Sequence, residues 1–519
     1  TIMDFDPEEV KRKISIGCSA AAFEYEDIKV NLLDTPGLFD FAGEMIQGIS
    51  AADTVMITVS AKSGVKVGTK KAYKEAVKQN KSKMFVVTKI DDENANFYNV
   101  LTELKTVFGP TVCPVVVPVI ENEKIVAIEP YRNLDKSYQI IDLQGKYILP
   151  GLINMHVHLA GNGKPQKKQK DNEKTVKMLM SNPLSRKITY KVVSNFAKIE
   201  LMSGVTTIRT VGGIAHYDSK LRDEILKRKV IGPRIVASNE GISVPHGHMA
   251  GSVAIAAHNN EEALALVDKA KSQNVDLIKL MITGGVLDAK EKGVPGELKM
   301  PPEMVKAVCD RAHQLGYKVA AHVESSEGVR VALENGVDSI EHGAKLDDEM
   351  IALFKAKKAF LCTTISPALP FALFDPSISN VSEIEKYNGE LVFNGIIDCA
   401  KQALENDIPV VLGNDVGCPW VSQYDFWREL YYFHKYIGVS NRFALYTATS
   451  LASKYAGLEN ITGSIDVGKD ADMIVVSENP LDDLKALRYV EKVFTRGKLI
   501  DRPKVKINKT VETELDKYL

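Results

Sequence analysis

His156 and His158, in Pro150-Gly-Leu-Ile-Asn-Met-His156-Val-His158, have the type and spacing to share one metal ion. Alternate residues of a strand point to the same side, so both imidazoles would leave one face at the end of this apolar run. Four further polar residues stand in later apolar runs. Lys279 lies in Val275-Asp-Leu-Ile-Lys279-Leu-Met-Ile. His322 ends Tyr317-Lys-Val-Ala-Ala-His322, His342 ends Val337-Asp-Ser-Ile-Glu-His342, and Asp415 ends Ile408-Pro-Val-Val-Leu-Gly-Asn-Asp415. Neutral imidazole and carboxylate are good zinc ligands. An ammonium group has donors only and no lone pair, so a lysine needs another explanation. Taken singly, each histidine is equally a satisfied core residue, and the lysine can snorkel to the surface.

The runs that carry these residues read as strands. Candidates begin near Ile153, Val205, Arg234, Leu277, Val319, Ser339, Ala359 and Val410. Helical stretches fall between them, at 302–315, 326–335 and 347–356. The first has Met304, Val305, Val308, Ala312 and Leu315 three or four apart. Short apolar strands alternating with helices imply an α/β fold with a parallel sheet. Eight such units predict a (β/α)8 TIM barrel, whose chemistry sits at the carboxyl ends of the strands. Every residue named above falls at that end.

In this order, the two histidines, the lysine, the two further histidines and the aspartate resemble the amidohydrolase superfamily. The resemblance covers roughly 120–503. It implies a binuclear site holding two divalent ions, zinc by expectation. His156, His158 and Asp415 would bind one ion and His322 and His342 the other. Lys279 would bridge them as a carbamate, which turns the amine into an anionic oxygen ligand. Two such ions lower the pKa of bound water toward about 7 and polarise a carbonyl. The implied reaction is amide hydrolysis by metal-activated hydroxide, with Asp415 as general base and then acid.

Three runs look like the imidazolonepropionase-related branch: Gly204-Val-Thr-Thr-Ile-Arg-Thr-Val-Gly-Gly213, Asp276-Leu-Ile-Lys-Leu-Met-Ile-Thr-Gly-Gly285 and Ser339-Ile-Glu-His-Gly343. Prolidase-like and carboxypeptidase-like members of that branch imply a dipeptide or N-acyl amino acid substrate. A cyclic amide of the imidazolonepropionase type is the alternative. Ile242-Ser-Val-Pro-His-Gly-His248 is similar to a loop that presents a histidine to substrate, which assigns His248 to substrate binding ahead of His246. Tyr217, Arg209 and Trp420 are pocket candidates by position. The chain departs from the common pattern at Thr210 and Asn154, where aspartate is usual, and at Asn414, where threonine is.

The flanks belong to other units. Gly463–Val476 and the hairpin Val490–Ile500, turning at Arg496-Gly497, resemble strands of the small β-sandwich that accompanies such barrels. The expected sandwich comprises 120–149 plus 460–519, and the barrel 150–459. Residues 1–119 resemble a truncated GTPase domain of elongation factor G. Val30-Asn-Leu-Leu-Asp34-Thr-Pro-Gly37 looks like its magnesium and γ-phosphate motif, and Met84-Phe-Val-Val-Thr-Lys-Ile-Asp91 like its guanine motif. Asp6–Ser15 and Asp40-Phe-Ala-Gly43 add to the likeness. No Gly-x-x-x-x-Gly-Lys-Ser/Thr precedes Asp34, Leu38 stands where a water-orienting histidine is usual, and Thr88 replaces the guanine-motif asparagine. A GTPase or ribosome-binding role is therefore disfavoured. Cys113–Ala127 fits the continuation of either parent, so the chain reads as a chimera of joined genes.

Bulk properties set the remaining expectations. With 519 residues and a net charge of −1, nothing draws the protein to nucleic acid. The lysine-rich run 164–170 reads as a solvated loop. Six cysteines, at 18, 113, 309, 362, 399 and 418, show no paired metal spacing and suggest a reducing, cytoplasmic setting. No apolar run reaches the roughly 18 residues that span a membrane. The expected partner is a small-molecule or dipeptide substrate, bound by a homo-oligomer. Because the phosphate cradle is missing from the leader, calorimetric titration with GTP is expected to give no micromolar binding. A micromolar isotherm would reverse that reading.

Overall fold

The computed structural model describes residues 6–12, 14–25, 28–89, 96–109, 112, 116–130, 138–143, 145–166 and 171–519. The ends of the guanine motif (90–91), the start of the joint (113–115) and part of the lysine-rich run (167–170) lie outside the described residues. The chain divides into two compact units, residues 1–116 and 117–519.

In the first unit, Thr54–Ser60 pairs in parallel with Ser82–Thr88. Val55, Ile57 and Val59 alternate with exposed residues, so one face of this strand is buried. Ile49 and Ala76, from Ala42–Ala51 and Val67–Lys78, pack on it. Val100 and Leu104 of Phe97–Phe108 extend that core beside Val59. Ser19–Tyr25 and Ile28–Asp34 form a separate antiparallel pair, with Asp34 at the end of its strand.

In the second unit all eight expected strands form. They are Leu152–Val157, Val205–Thr210, Arg234–Val236, Leu277–Met281, Lys318–Val323, Ser339–His342, Phe360–Thr363 and Val410–Leu412. Their pairings are parallel. Every residue of Leu152–Val157, Val205–Thr210 and Leu277–Met281 is buried, as expected of a parallel sheet covered on both faces. Between strands run Pro302–Gln314, Ser326–Glu334 and Asp348–Lys357. The side chains of Ser325 and Asp347 cap the last two by accepting from Gly328 N and Met350 N.

The single closed ring expected from sequence is not continuous. The first three strands form one sheet and the other five a second. The second sheet is widened to seven by Gly241–Ser243 and Ala254–Ala256. These two strands are only three residues long, too short to show a period in sequence. Arg234–Val236 is equally short, and Asn239, at φ +57°, turns the chain soon after it. One bond, Asp276 N to Ala237 O at 2.7 Å, spans that gap. On the opposite side Asp415 N donates to His156 O (3.0 Å) and His158 N to Val416 O (3.1 Å).

Tyr147–Pro150, Met473–Val476, Val490–Thr495 and Lys498–Asp501 form an antiparallel sheet. Ile125, from the strand Lys124–Pro130, shares a core with Met473, Val475 and Phe494. Arg496 (φ +47°) and Gly497 (φ +74°) make the expected tight turn, with both central residues left-handed. Within the expected sandwich segment 460–519, both sheet and helix occur. The sheet ends at Asp501, and Lys509–Leu515 is a helix whose Val511 and Leu515 join the main core. Its Glu512 accepts from buried Arg428 at 3.1 Å. Among the described residues no helix is long and apolar enough to cross a membrane.

Gly413 lies where the Val410–Leu412 strand passes Leu152–Val157, and a Cβ there would overlap His156 Cβ and N. Gly413→Ala must push these strands apart. It is expected to cost about 1–3 kcal/mol, read as a lower Tm and reduced metal uptake. An unchanged Tm would show that the strands part freely.

Candidate functional site

Parallel pairing with almost no stagger lines up the strand ends. Met281 stands opposite His322, His322 opposite Glu341, and Val323 opposite His342. His156, His158, Lys279, His322, His342 and Asp415 thus collect at the carboxyl edge of the sheet. Lys279, His156 and His342 are at most 3% exposed. His342 (φ +68°) and Asp415 (φ +54°) adopt left-handed backbone that non-glycine residues rarely take. Such local strain is characteristic of sites whose geometry is dictated by function.

The hydrogen bonds around His156 and His158 settle their tautomers. His156 Nδ1 lies 2.7 Å from Glu341 Oε2, and His158 Nδ1 lies 2.8 Å from the carbonyl oxygen of Gly212. These partners only accept, so both Nδ1 atoms carry the proton. Both Nε2 atoms therefore present lone pairs. They lie 3.3 Å apart, and 3.4 and 3.2 Å from Asp415 Oδ1. Three acceptors face one another with no donor between them. That is unfavourable unless a cation lies among them, and it fits a metal ion. His322 donates from Nε2 to Gly284 O at 3.2 Å, which leaves its Nδ1 as the ligand atom. His342 Nδ1 lies 2.6 Å from Thr364 Oγ1.

Electrostatics point the same way. Burial pushes His156 down to about 4 and holds His322 and His342 well below the usual histidine value, so all three are neutral at pH 7. Burial alone would raise Asp415, but His156 and His158 outweigh it and keep the carboxylate ionised. Burial also pushes Lys279 down to about 8, and its Nζ is buried without a hydrogen-bond partner. A buried amine with no counter-ligand is poised to react rather than to pair, which fits carbamate formation. Three sets of ligand atoms among the described residues, His156–His342–Asp415, His156–Glu341–Cys362 and His322–Glu324–His342, are close enough to hold ions.

Several participants were not visible in sequence. Glu341 takes the His156 proton, and Arg209 Nη2 donates to both of its oxygens at 2.7 and 2.8 Å. Arg209 Nε also binds Met155 O at 2.7 Å. Arg209 is therefore a buried positioning residue and not a pocket contact. Glu324 is pushed up to about 8 by burial, and its Oε2 is unpartnered. Asp288 Oδ2 takes the His248 Nδ1 proton at 2.5 Å and accepts from Gly285 N at 2.9 Å. The His248 ring stacks on His322, centroids 4.0 Å apart, which brings this loop histidine to the site. His246 is exposed.

Tyr217 departs from its expected role. Its hydroxyl donates to Arg186 O at 3.1 Å and its ring meets Tyr190 edge-on, so it serves helix packing. The position after a strand end suggested a pocket, but the helix Tyr217–Leu226 begins there and takes the side chain into the core. Trp420 is buried against Phe374. The unusual residues Asn154 and Asn414 bond each other. Asn154 Nδ2 donates to Asn414 Oδ1 at 2.7 Å, and Asn154 Oδ1 accepts from Asn414 N at 3.2 Å.

Residues 147–500 match the amidohydrolase family, and residues 1–268 match the elongation factor Tu GTP binding domain. A solved structure described as a candidate prolidase from Bifidobacterium longum is 35% identical, with a TM-score of 0.67, over 78% of this chain and 93% of its own. A Xaa-Pro dipeptidase with methionine bound in its active site is 28% identical, with a TM-score of 0.65, over 74% and 95%. Aspergillus niger ochratoxinase is 24% identical over 395 residues, 69% of this chain and 76% of that protein. Such neighbours imply a TIM-barrel α/β fold for the second unit. An elongation factor G-like protein of Mycobacterium tuberculosis is 38% identical over 118 residues, 23% of this chain. The chain spans only 16% of that relative's length.

Removing the Glu341 charge weakens its hold on the His156 Nδ1–H. Glu341→Gln is expected to weaken divalent-metal retention about 10- to 100-fold in chelator competition. Arg209→Met strands the Glu341 charge and is expected to cost about 3–5 kcal/mol of stability in urea unfolding. Unaltered metal affinity in the first variant would remove Glu341 from the site.

Proposed function

The chain belongs to the amidohydrolase family over residues 147–500, with a leader from the elongation factor Tu GTP binding family, and on that footing we propose that it cleaves the amide bond of a dipeptide or N-acyl amino acid. The observation that carries this is the cluster of two imidazole lone pairs and one carboxylate oxygen, within 3.2 to 3.4 Å and without a donor. His156, His158 and Asp415 would hold one divalent ion, and His322 and His342 a second, with zinc favoured by the nitrogen-rich set. Lys279, after losing its proton, would add carbon dioxide to give a carbamate whose oxygens complete both sites. When bound, the ions supply acidification of water and polarisation of the scissile carbonyl.

The remaining steps belong to the chain's own side chains. Asp415, ionised and beside both imidazoles, accepts the proton of the attacking water and delivers it to the leaving nitrogen. Cys418 Sγ, 3.4 Å from Asp415 Oδ2, constrains the other carboxylate oxygen. Glu341 and Gly212 O keep the ligand nitrogens deprotonated and aimed. His248, its Nδ1–H fixed by Asp288, turns its other nitrogen away from that carboxylate and can hold a polar group of the substrate. Relatives named prolidase, Xaa-Pro dipeptidase and ochratoxinase support a substrate with an amide bond next to an amino acid.

Asp415→Asn keeps the shape of the side chain but cannot take a proton. Turnover of a panel of dipeptides and N-acyl amino acids is expected to fall about 10²–10⁴-fold while the circular dichroism spectrum is retained. Near-normal turnover would end the proposed role. Hydrolysis of imidazolone propionate, with no dipeptide or N-acyl amino acid cleaved, would move the substrate to the cyclic-amide class.

A further inference from the structure

The second unit has a cavity of about 410 Å³ at the opposite end of its strands from the histidines. It lies where Arg234–Val236 begins and where Asp276 precedes Leu277–Met281, and its outer wall is the Arg496-Gly497 turn of the small sheet. The volume falls within the roughly 300–1,000 Å³ of small-molecule sites. None of the groups assigned to amide hydrolysis reaches it.

Its lining has two parts. Leu226 and Ile231 are 45% and 42% exposed, and with Val230 and Leu458 they form an aliphatic floor open to solvent. Cations stand around that floor. Arg222 is committed to Asp223 and Asp276, and Arg234 to Asp470 and Asp472. Arg228 and Arg496 share the single carboxylate of Glu123. Lys498 makes no ion pair among the described residues. The rim as a whole is balanced, five cations against five carboxylates, but unevenly: Arg222 and Arg234 each meet two carboxylates, whereas Arg228, Arg496 and Lys498 at the other end have only Glu123 among them. The walls are also tied down. Arg496 Nη1 reaches Ile225 O and Leu226 O at 3.5 and 3.4 Å and fixes the hairpin to the end of the Tyr217–Leu226 helix.

We propose that this cavity binds an aliphatic carboxylate, with its chain on Leu226 and Ile231 and its anionic head between Arg228 and Lys498. An aliphatic floor beside the end of the rim where Arg228, Arg496 and Lys498 outnumber Glu123 favours an amphipathic anion over a neutral or cationic molecule of the same length. The site is independent of the proposed hydrolysis.

The test is calorimetric titration of the full chain with decanoate, decylamine hydrochloride and decanol, each below its aggregation limit. Decanoate is expected to bind once per chain in the micromolar range, and decylamine at least tenfold more weakly. The pair of substitutions Arg228→Gln and Lys498→Gln is expected to weaken decanoate at least tenfold while Tm and zinc content stay unchanged. Ile231→Glu is expected to abolish decanoate binding without altering the sedimentation coefficient. Equal affinity for decanoate and decylamine, no saturable decanoate binding, or unweakened binding in the double variant would each overturn the proposal. So would a wild-type oligomer that Ile231→Glu dissociates, because the cavity would then be a subunit interface.

Discussion

The charge of Glu341, buried beneath His156, is the constraint on which the rest of the site depends. It is fully buried on the fifth strand of the seven-stranded sheet, and it accepts from His156 and from Arg209. Burial would raise its carboxyl, but Arg209 and His156 outweigh that cost and hold it well below the usual carboxylate range. The ionised form fixes the His156 proton on Nδ1, and this in turn fixes the direction of the Nε2 lone pair. Arg209 comes from the middle strand of the three-stranded sheet, so this ion pair also ties the two sheets to each other away from their edges.

The same logic explains why so many polar groups are tolerated in an apolar interior. Neutral histidines, a lysine whose amine burial has weakened, and a carboxylate surrounded by imidazoles are costly to bury in isolation. Together they leave lone pairs without donors at one place and an amine without an acceptor nearby. A bound cation cancels most of that penalty, so loading and stability are coupled in the proposed enzyme. The left-handed backbone at His342 and Asp415 adds local strain at the same place.

Much of this was legible in residue order. All eight strands were readable, because fully buried parallel strands appear as short apolar runs, and the histidines stand out at their ends. The helix over 302–315 was readable from its three-to-four spacing. The strands at Gly241–Ser243 and Ala254–Ala256 were not, because three residues carry no period. Glu341 was missed although it precedes a recognised histidine. In sequence it looks like a surface acid between apolar neighbours, and only the strand pleat turns it inward to His156. Tyr217 was misassigned because a residue just past a strand can enter either the pocket or the following helix.

The sequence by itself determined the chemistry available: which residues could be ligands, their order along the chain, and the alternation of strand and helix that brings them to one edge. It also determined that the first part of the chain carries GTPase-like motifs, since motif spacing is a property of the chain alone. Tertiary structure decided the rest. Tautomers depend on which acceptor meets each Nδ1, the Lys279 amine is buried without a hydrogen-bond partner, and Arg209 acts on His156 through Glu341. These facts arise from contacts between residues more than a hundred positions apart, such as Arg209 with Glu341 and His156 with Asp415. No local pattern encodes such contacts, because they exist only once the sheet has set strand beside strand.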